Sequence, residues 1–240
     1  MYDNMKTAIV TGGGKGIGKS ITEHLQENGY EVIVGSRTEG ICGDVSDPSF
    51  HDLLVDTCLE KYGSLDLYVN NAGFSEWQPI ETITESFLQR IFEVNLFGAF
   101  WGCKSAIRGG VSSIVNISSL AGKRGSANNS AYVATKFGMN GLTQSLAKEV
   151  GWRNIRVNAV CPVLVRTDGL ISALDNAFPD TEKFLKDFTN TQSALGRLPE
   201  GRDVADMVLY LAGASSVTGQ CINVDCGVLP SGQVYESVLY

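Results

Sequence analysis

Short apolar runs alternate with amphipathic segments along the whole chain, and this alternation predicts the fold. The runs are rich in β-branched residues and are bounded by turn residues, as is typical of buried parallel strands. They lie at residues 7–10, 31–34, 65–70, 112–118, 155–162 and 220–225. Apolar residues at helical spacing occur at residues 17–28, 49–61, 84–106, 131–151 and 202–212. The alternation predicts an α/β fold, a doubly wound parallel β-sheet with helices on both faces.

Nothing in the sequence divides this alternation into separate parts. No linker rich in proline and serine, no run of charge and no internal repeat interrupts it. A chain of 240 residues is long enough to bury most of its apolar surface. We therefore expect residues 1–240 to form a single domain, with a tail at about 230–240 that either extends a subunit interface or is a mobile end.

Composition argues against several classes of protein. The net charge is −7, whereas a general nucleic-acid-binding role needs a basic face. The six cysteines form no C-x-x-C pair and there are only two histidines, so we expect no metal site. The start of the chain has no signal-peptide core, and no apolar stretch reaches the length of about 18 residues that a membrane span needs. We expect a cytoplasmic protein.

A glycine-rich turn, "TGGGKGIG" at residues 11–18, follows the first predicted strand and opens the first predicted helix. In this context Gly12 allows a tight turn, Gly16 lets the backbone approach a pyrophosphate, and Gly18 permits close packing of helix on strand. The helix N-terminus offers free N–H groups and partial positive charge to phosphates. The spacing differs from the plain dinucleotide fingerprint and from a Walker loop. A mere turn is the alternative interpretation.

Further motifs follow the glycine-rich turn in a fixed order. They are "NNAG" (70–73), "SS" (118–119), "YVATK" (132–136), "CPVLVRT" (161–167) and "VTGQCINVDCG" (217–227). Together with T-G-x-x-x-G-x-G, the series resembles the short-chain dehydrogenase/reductase family over about residues 5–230. The resemblance implies a Rossmann fold, hydride transfer to or from a nicotinamide dinucleotide, and a homo-oligomer, a dimer or more commonly a tetramer.

The residue types in "YVATK" and "SS" suggest acid–base chemistry. Tyr132 and Lys136 are spaced i,i+4, so they share one face of a helix. A nearby ammonium is expected to lower the phenol pKa from its ordinary value of about 10. The phenol then exchanges a proton with a carbonyl or alcohol oxygen, which Ser119 holds by a hydrogen bond. Ser119 is chosen over Ser118 because thirteen residues separate it from Tyr132; capping a turn is its alternative role.

The family resemblance assigns further roles to the same residues. It implies that Tyr132 is the acid/base, that Ser119 orients the substrate, and that Lys136 also binds the nicotinamide ribose. It implies that Asn95, in "EVNLFG", completes a proton relay through water. A side chain that only bridges to a carbonyl is the alternative for Asn95.

The stretch "VGSRTEGICGD" at residues 34–44 bears on the choice of cofactor. Ser36 and Arg37 follow the second strand, and a hydroxyl with a guanidinium suits the 2′-phosphate of NADP. Lys15 is placed to join them, whereas Glu39 keeps NAD as an alternative. Six residues between Arg37 and Asp44 cannot hold a helix with its turns. The helix that most relatives have between strands 2 and 3 is therefore predicted to be missing. Its absence would leave the cofactor site more open at the edge where the adenine binds.

The resemblance extends the cofactor site over several segments. Asp44 fits the family position that bonds the adenine amino group, with Val45 beside it. The full predicted cofactor-binding set comprises Thr11, Gly12, Gly14, Lys15, Gly16, Ile17, Gly18, Ser36, Arg37, Asp44, Val45, Asn71, Ala72, Gly73, Tyr132, Lys136, Pro162, Val165 and Thr167.

Two positions depart from the family pattern. Pro162 is followed by Val163 where the family usually has glycine, and valine disfavours positive φ. We expect the loop over the nicotinamide to take another path, although Val165 and Thr167 still fit positions that meet the carboxamide and the phosphates. "VDCG" replaces the more usual Val-Asp-Gly-Gly.

The substrate is less well defined than the chemistry. Residues 168–198 occupy the place of the family's variable substrate lid, and packing between helices explains their apolar residues more simply than pocket lining does. Lys123 and Arg124 either are a solvated pair of surface residues or attract an anionic substrate. The apolar lid residues are Leu170, Ile171, Leu174, Phe178, Phe184, Leu185 and Phe188.

The favoured hypothesis is an NADP(H)-dependent carbonyl reductase or alcohol dehydrogenase acting on a small molecule, with a 3-oxoacyl thioester as one specific case. One alternative is an NAD-dependent dehydrogenase of a sugar or cyclic alcohol. Another is a catalytically silent regulator that binds a dinucleotide, against which the intact Asn-Ser-Tyr-Lys set argues. No nucleic acid or membrane partner is expected.

Overall fold

Seven parallel strands, all within residues 5–228 that the computed structural model describes, form one sheet in the order β3-β2-β1-β4-β5-β6-β7. The strands are β1 (Lys6–Thr11), β2 (Tyr30–Ser36), β3 (Ile41–Cys42), β4 (Leu67–Asn70), β5 (Ser113–Ile117), β6 (Arg156–Pro162) and β7 (Cys221–Val224). The strand order reverses between β1 and β4, which is the arrangement of a Rossmann fold. The predicted parallel sheet is confirmed.

Helices cover both faces of this sheet, as predicted. They are α1 (Gly16–Glu27), α2 (Pro48–Tyr62), α3 (Glu85–Phe92), α4 (Gly98–Arg108), α5 (Ser130–Val150), α6 (Asp168–Ala177), α7 (Thr181–Gln192) and α8 (Gly201–Gly213). Alternate residues of β1 show the two layers: Ile9 joins the apolar cluster with α2, α4 and α5, whereas Ala8 and Val10 join the cluster with α1 and α8. Such continuous apolar strands are typical of a parallel sheet buried on both faces.

The connection between β2 and β3 contains no helix, as the sequence predicts. Residues 37–40, all of them described, form only bends, and β3 pairs with β2 through Gly35↔Ile41 and Ser36↔Cys42. The chain therefore returns to the sheet immediately after the loop that contains Arg37.

One predicted helical segment differs from the structure. The segment predicted as one helix over 84–106 is interrupted by a π-helical turn at Glu93–Phe97, which separates α3 from α4. Val94 and Asn95 are both buried in this turn, which the helical spacing of apolar residues does not predict.

Residues 168–198, which we call the lid from here on, contain two helices, α6 and α7. The predicted tail at 230–240 lies outside the described residues.

Val163 keeps the chain in an ordinary conformation where the family has glycine. Its N–H donates to the Val224 carbonyl at 3.3 Å, one residue beyond the Pro162↔Val224 pair that ends the β6–β7 ladder. Among the described residues, Val163 is not one of those with positive φ. The β6–β7 contact thus continues by one residue at Val163, and the change of path relative to the family stays a prediction. In the part of the chain that the structure describes, no helix combines the length and hydropathy of a membrane span.

Cys226 lies in the left-handed region, with φ of 52°, at the position where the family usually has glycine. A residue with a Cβ atom in this region costs about 1–2 kcal/mol. We predict that Cys226→Gly raises the free energy of unfolding by up to about 1 kcal/mol, since relief of this cost is partly offset by the extra chain entropy of glycine.

Chemical denaturation of three variants tests this prediction. Cys226→Ala keeps the Cβ atom and should show no gain, while Cys221→Gly, within the extended strand β7, should be destabilising. A Cys226→Gly protein no more stable than Cys226→Ala would show that the conformation is not strained.

Candidate active site

The carboxyl ends of β1 and β4 lie at the point where the strand order reverses, and their connection is tied by side chains. Thr11 Oγ1 accepts hydrogen bonds from the N–H groups of Asn71 (3.0 Å) and Ala72 (3.2 Å). Asn71 Nδ2 donates to the carbonyl oxygens of Thr11 (2.9 Å) and Gly12 (3.2 Å). In open α/β sheets, ligands bind in the crevice outside such a reversal.

The glycine-rich turn leaves room for a phosphate group at the start of α1. Gly12 and Gly16 have φ of 66° and 54°, which disfavour any residue with a Cβ atom. A Cβ atom at Gly18 would lie 2.2 Å from the Gly12 carbonyl oxygen, so the helix packs directly on the turn. Within the described residues, no side chain caps the N-terminus of α1. Its free N–H groups and the bare backbone fit the diphosphate of a dinucleotide.

The loop after β2 places the residues predicted to select the cofactor. Ser36 Oγ accepts hydrogen bonds from the N–H groups of Thr38 (3.2 Å) and Glu39 (2.7 Å) and donates to the Glu39 carbonyl at 2.7 Å. Its proton is therefore used within the loop. Arg37 is exposed and has no ion-pair partner among the described residues. A Cβ atom at Gly14 would lie 2.6 Å from Glu39 Oε2, so this carboxylate rests on the glycine-rich turn.

Asp44 and Val45 lie at the open edge beside β3. Burial alone would raise the pKa of Asp44, but hydrogen bonds from Arg90 and Ser46 outweigh it and lower the pKa to about 2. Arg90 Nη2 approaches Asp44 Oδ2 to 2.6 Å. The Val45 side chain is buried, and its carbonyl lies 2.8 Å from His51 Nε2. The carboxylate is thus held in a charged form that can accept a hydrogen bond from an amino group.

The predicted catalytic residues meet where β5 ends and α5 begins. Ser119 follows β5, and its side chain lies close enough to Tyr132, in the first turn of α5, to lower the pKa of the phenol. Lys136 lies one turn further along, with Nζ 5.6 Å from the centroid of the Tyr132 ring and 2.8 Å from the Ile117 carbonyl. Ser119 Oγ also accepts from the Ala121 N–H at 3.1 Å, so it caps a 3-10 turn as well.

Burial shifts the pKa values of this pair in opposite directions. It raises the pKa of Tyr132, and the hydrogen bond with Ser119 only partly counters this. It lowers the pKa of Lys136 to about 8, since the ammonium is 4% exposed. The expectation that Lys136 lowers the phenol pKa is therefore wrong for this structure. Desolvation dominates, while the ammonium is bonded to the Ile117 carbonyl.

Asn95 clamps the segment after β4 from within the π-helical turn. Its Oδ1 accepts from the Phe74 N–H at 3.0 Å, and its Nδ2 donates to the Phe74 carbonyl at 2.8 Å. The side chain is fully buried, and a Cβ atom at Gly73 would lie 3.1 Å from Asn95 Oδ1. These contacts match the alternative role of bridging to backbone. Placement of a π-helical turn beside functional residues is frequent.

The lid begins next to the glycine-rich turn. A Cβ atom at Gly16 would lie 3.4 Å from Thr167 Cγ2, so Thr167 faces the start of α1 as predicted. Thr167 Oγ1 accepts from the Leu170 N–H at 3.2 Å and caps α6, while Val165 is buried behind it. Ser119 Oγ lies 3.5 Å from the Pro162 carbonyl, which joins this segment to the catalytic residues.

Sequence reasoning misses Trp77, which lies in the loop after "NNAG". Its ring centroid is 6.3 Å from that of Phe178, and Phe178 stacks on Phe184 at 4.1 Å. The loop has no periodicity, and no sequence pattern connects position 77 with position 178.

Lys123, which the sequence analysis considers as an attraction for an anionic substrate, donates a hydrogen bond to the Cys221 carbonyl instead. Residues 5–228 contain no cluster of three or more potential metal ligands.

Comparisons with known proteins agree with this geometry. The family model described as short chain dehydrogenase matches residues 6–176. L-2,3-butanediol dehydrogenase of Corynebacterium glutamicum is 35% identical over 93% of this chain and 98% of its own length.

Two solved structures resemble the whole chain. The ligand-free aldohexose dehydrogenase of Thermoplasma acidophilum is 33% identical, with a TM-score of 0.89 over 98% of this chain and 99% of that one. A single-residue variant of actinorhodin polyketide ketoreductase with NADPH is 31% identical, with a TM-score of 0.88 over 95% of this chain and 98% of that one.

The chain therefore belongs to the short-chain dehydrogenase/reductase family. It is an oxidoreductase of alcohols or carbonyl compounds that uses NAD(P)(H).

The buried ammonium of Lys136 makes stability depend on pH. Between its folded pKa of about 8 and its ordinary value of 10.5, the unfolded chain holds a proton that the folded chain lacks. The free energy of unfolding should therefore rise with pH across this window, by about 3 kcal/mol. We predict that Lys136→Met removes this rise, so the variant gains most relative to wild type at pH 7.

Denaturation curves from pH 7 to pH 10.5 measure this difference. Lys148→Met, at an exposed position of the same helix, is the control and should leave the wild-type pH dependence intact. Parallel profiles for wild type and Lys136→Met would contradict the prediction.

Proposed function

We propose that this chain is an NADP(H)-dependent reductase of short ketones, with Tyr132 as the proton donor. The observation that carries the proposal is the proximity of Ser119 and Tyr132 beside buried Lys136, at the carboxyl edge of the sheet that also holds the phosphate-fitting turn. Phenol, hydroxyl and ammonium then adjoin one cleft next to the dinucleotide site.

The side chains account for the proton transfer. The dinucleotide, when bound, supplies or accepts the hydride. The raised pKa keeps Tyr132 protonated near neutral pH, the form that donates to a carbonyl oxygen. The Ser119 hydroxyl can donate a hydrogen bond to the same carbonyl oxygen as negative charge develops on it. At neutral pH Tyr132 is therefore in the form that reduction needs, whereas alcohol oxidation needs the deprotonated phenol and is expected to be faster at higher pH.

The substrate class follows from the relative with a named small substrate. A 2,3-butanediol is a four-carbon vicinal diol, and its oxidised forms are acetoin and diacetyl. We assign this chain a short vicinal hydroxyketone or diketone. A 3-oxoacyl thioester is a weaker candidate, supported by the resemblance to a polyketide ketoreductase.

NADP(H) is favoured over NAD(H) by the charge of the β2–β3 loop. Arg37 is exposed and has no ion pair within the described residues, so its guanidinium is available to a 2′-phosphate. Lys15, the residue before α1, adds a second positive charge on the same side.

A second candidate is an NAD-dependent dehydrogenase of a sugar. The Glu39 carboxylate rests on Gly14, where an acid can bind ribose hydroxyls and repel a 2′-phosphate. The similarity to an aldohexose dehydrogenase supports the same alternative. A silent dinucleotide-binding regulator is disfavoured by the assembled Ser-Tyr-Lys geometry. The homo-oligomer remains a prediction from the family.

Removal of the Tyr132 hydroxyl tests the proton donor. Tyr132→Phe keeps the ring but not the proton, and we predict a fall of kcat for diacetyl of about 10²–10⁴. Nicotinamide absorbance measures turnover, and dinucleotide binding should persist. Tyr210→Phe, an exposed tyrosine on α8, is the control. Equal turnover by Tyr132→Phe and wild type would refute the mechanism.

Reversal of the charge at position 37 tests the cofactor preference. Arg37→Asp should lower kcat/KM for NADPH relative to NADH by about tenfold or more, because a charge-assisted phosphate contact is lost. Glu39→Gln should shift the ratio in the opposite direction. Arg153→Asp, in the turn between α5 and β6 at the amino end of β6, is the control. An unchanged ratio in Arg37→Asp would favour the NAD-dependent candidate.

A further inference from the structure

The segment Phe74–Gln78, which we call the front wall, is fastened to the π-helical turn that contains Asn95 and to the residues just before α5. Asn95 binds the backbone N–H and carbonyl of Phe74, as described above. At its other end, Gln78 N–H donates to the Asn128 carbonyl at 2.6 Å. Ser75 Oγ lies 3.5 Å from Asn129 Oδ1. The front wall therefore has a fixed position relative to α5.

This position is next to the proton donor. Asn129 immediately precedes α5, and its carbonyl accepts from the Val133 N–H at 2.9 Å. Tyr132 lies in that same first turn. Trp77 stands between the two anchored ends of the front wall, so its backbone is held beside the residues that lead into the first turn of α5.

The lid meets the front wall through aromatic rings. Phe178 directly follows α6 and contacts Trp77 edge-on, at an interplanar angle of 68°. Phe184 of α7 stacks on Phe178 at an angle of 19°. Edge-to-face and offset stacked pairs are each worth about 0.5–1.5 kcal/mol beyond the area that they bury. The contact therefore joins both lid helices to the body of the protein.

The opposite side of the lid is fixed near the phosphate-fitting turn. Thr167, where α6 begins, faces Gly16. The neighbouring Arg166 pairs with Glu182 at the start of α7, with Nη1 and Oε2 3.1 Å apart. The lid is thus held at the glycine-rich turn through Thr167 and at the front wall through the Trp77–Phe178 contact.

From these contacts we propose that Trp77 and Phe178 close the substrate cleft at its outer end and limit the carbon chain of the substrate. The proposal rests on the proposed function and names the specificity-determining residues of that site. On this proposal the two rings occupy the space that a carbon chain longer than four atoms would need. Rings without charge also favour an uncharged substrate over an anionic one.

The test compares two diketones that differ only in chain length, 2,3-butanedione and 4,5-octanedione. The wild type should prefer butanedione. Trp77→Ala and Phe178→Ala should each raise the octanedione-to-butanedione ratio of kcat/KM by about tenfold or more, because each removes one half of the same contact. The double variant should exceed the larger single effect only slightly, since the contact is already broken.

Two controls separate a size limit from a general loosening of the lid. Trp77→Phe keeps an aromatic ring and should stay near the wild-type ratio. Phe188→Ala removes a ring of the same lid that touches Phe184, one ring further from Trp77, and should leave the ratio unchanged. Thermal unfolding and dinucleotide binding identify any variant that fails to fold. Because Phe178 and Trp77 lie on opposite sides of the contact, either variant alone suffices for the test.

The outcomes distinguish this inference from the proposed function. A wild type that reduces neither diketone refutes the proposed function and this inference with it. A wild type that reduces butanedione through Tyr132, with a ratio unmoved in the folded Trp77→Ala or Phe178→Ala variant, overturns the inference alone. Equal wild-type turnover of the two diketones also overturns the inference.

Discussion

The hydrogen bonds between Thr11 and Asn71 join the two strand ends between which the site is built. Where the strand order reverses, β1 and β4 diverge beyond Thr11 and Asn70, and their backbone groups lose ladder partners. The Thr11 hydroxyl and the Asn71 amide satisfy these groups instead. Because Asn71 Nδ2 also lies 2.4 Å from where a Gly18 Cβ atom would be, the glycine there is required by this junction as well as by the packing of α1 on the turn.

A second set of buried amides positions α5 on the sheet. Asn70 Nδ2 donates to Asn116 Oδ1 at 2.9 Å, and Asn116 Nδ2 donates to Thr143 Oγ1 at 2.9 Å. These bonds run from β4 through β5 into the middle of α5. Buried polar groups that are fully paired favour one packing over its alternatives, because a slipped helix would leave them unpaired. The register of α5, and hence the direction of Tyr132 and Lys136, depends on this chain of bonds.

The features that sequence could predict are those in which adjacent residues determine the outcome. The strands, the glycine-rich turn, the i,i+4 pair Tyr132–Lys136 and the missing helix after Arg37 all follow from local pattern or loop length. The π-helical turn at Asn95 does not, because it depends on the backbone of Phe74. Nor does the contact of Glu39 with Gly14, or that of Trp77 with Phe178, because each joins segments distant in sequence.

Burial has opposite consequences for the two ionisable groups of the site, and this bears on function. Burial favours the neutral phenol of Tyr132 and raises its pKa, so Tyr132 keeps its proton more firmly. It disfavours the ammonium of Lys136 and lowers its pKa, so Lys136 loses its proton more easily. Keeping Lys136 charged near neutral pH costs folding free energy that a methionine would not. Tyr132, next to Ser119, thus keeps its proton, while the charged form of the nearby Lys136 destabilises the folded protein. In the proposed reaction, this protonation state of Tyr132 suits the donation of a proton to a substrate oxygen.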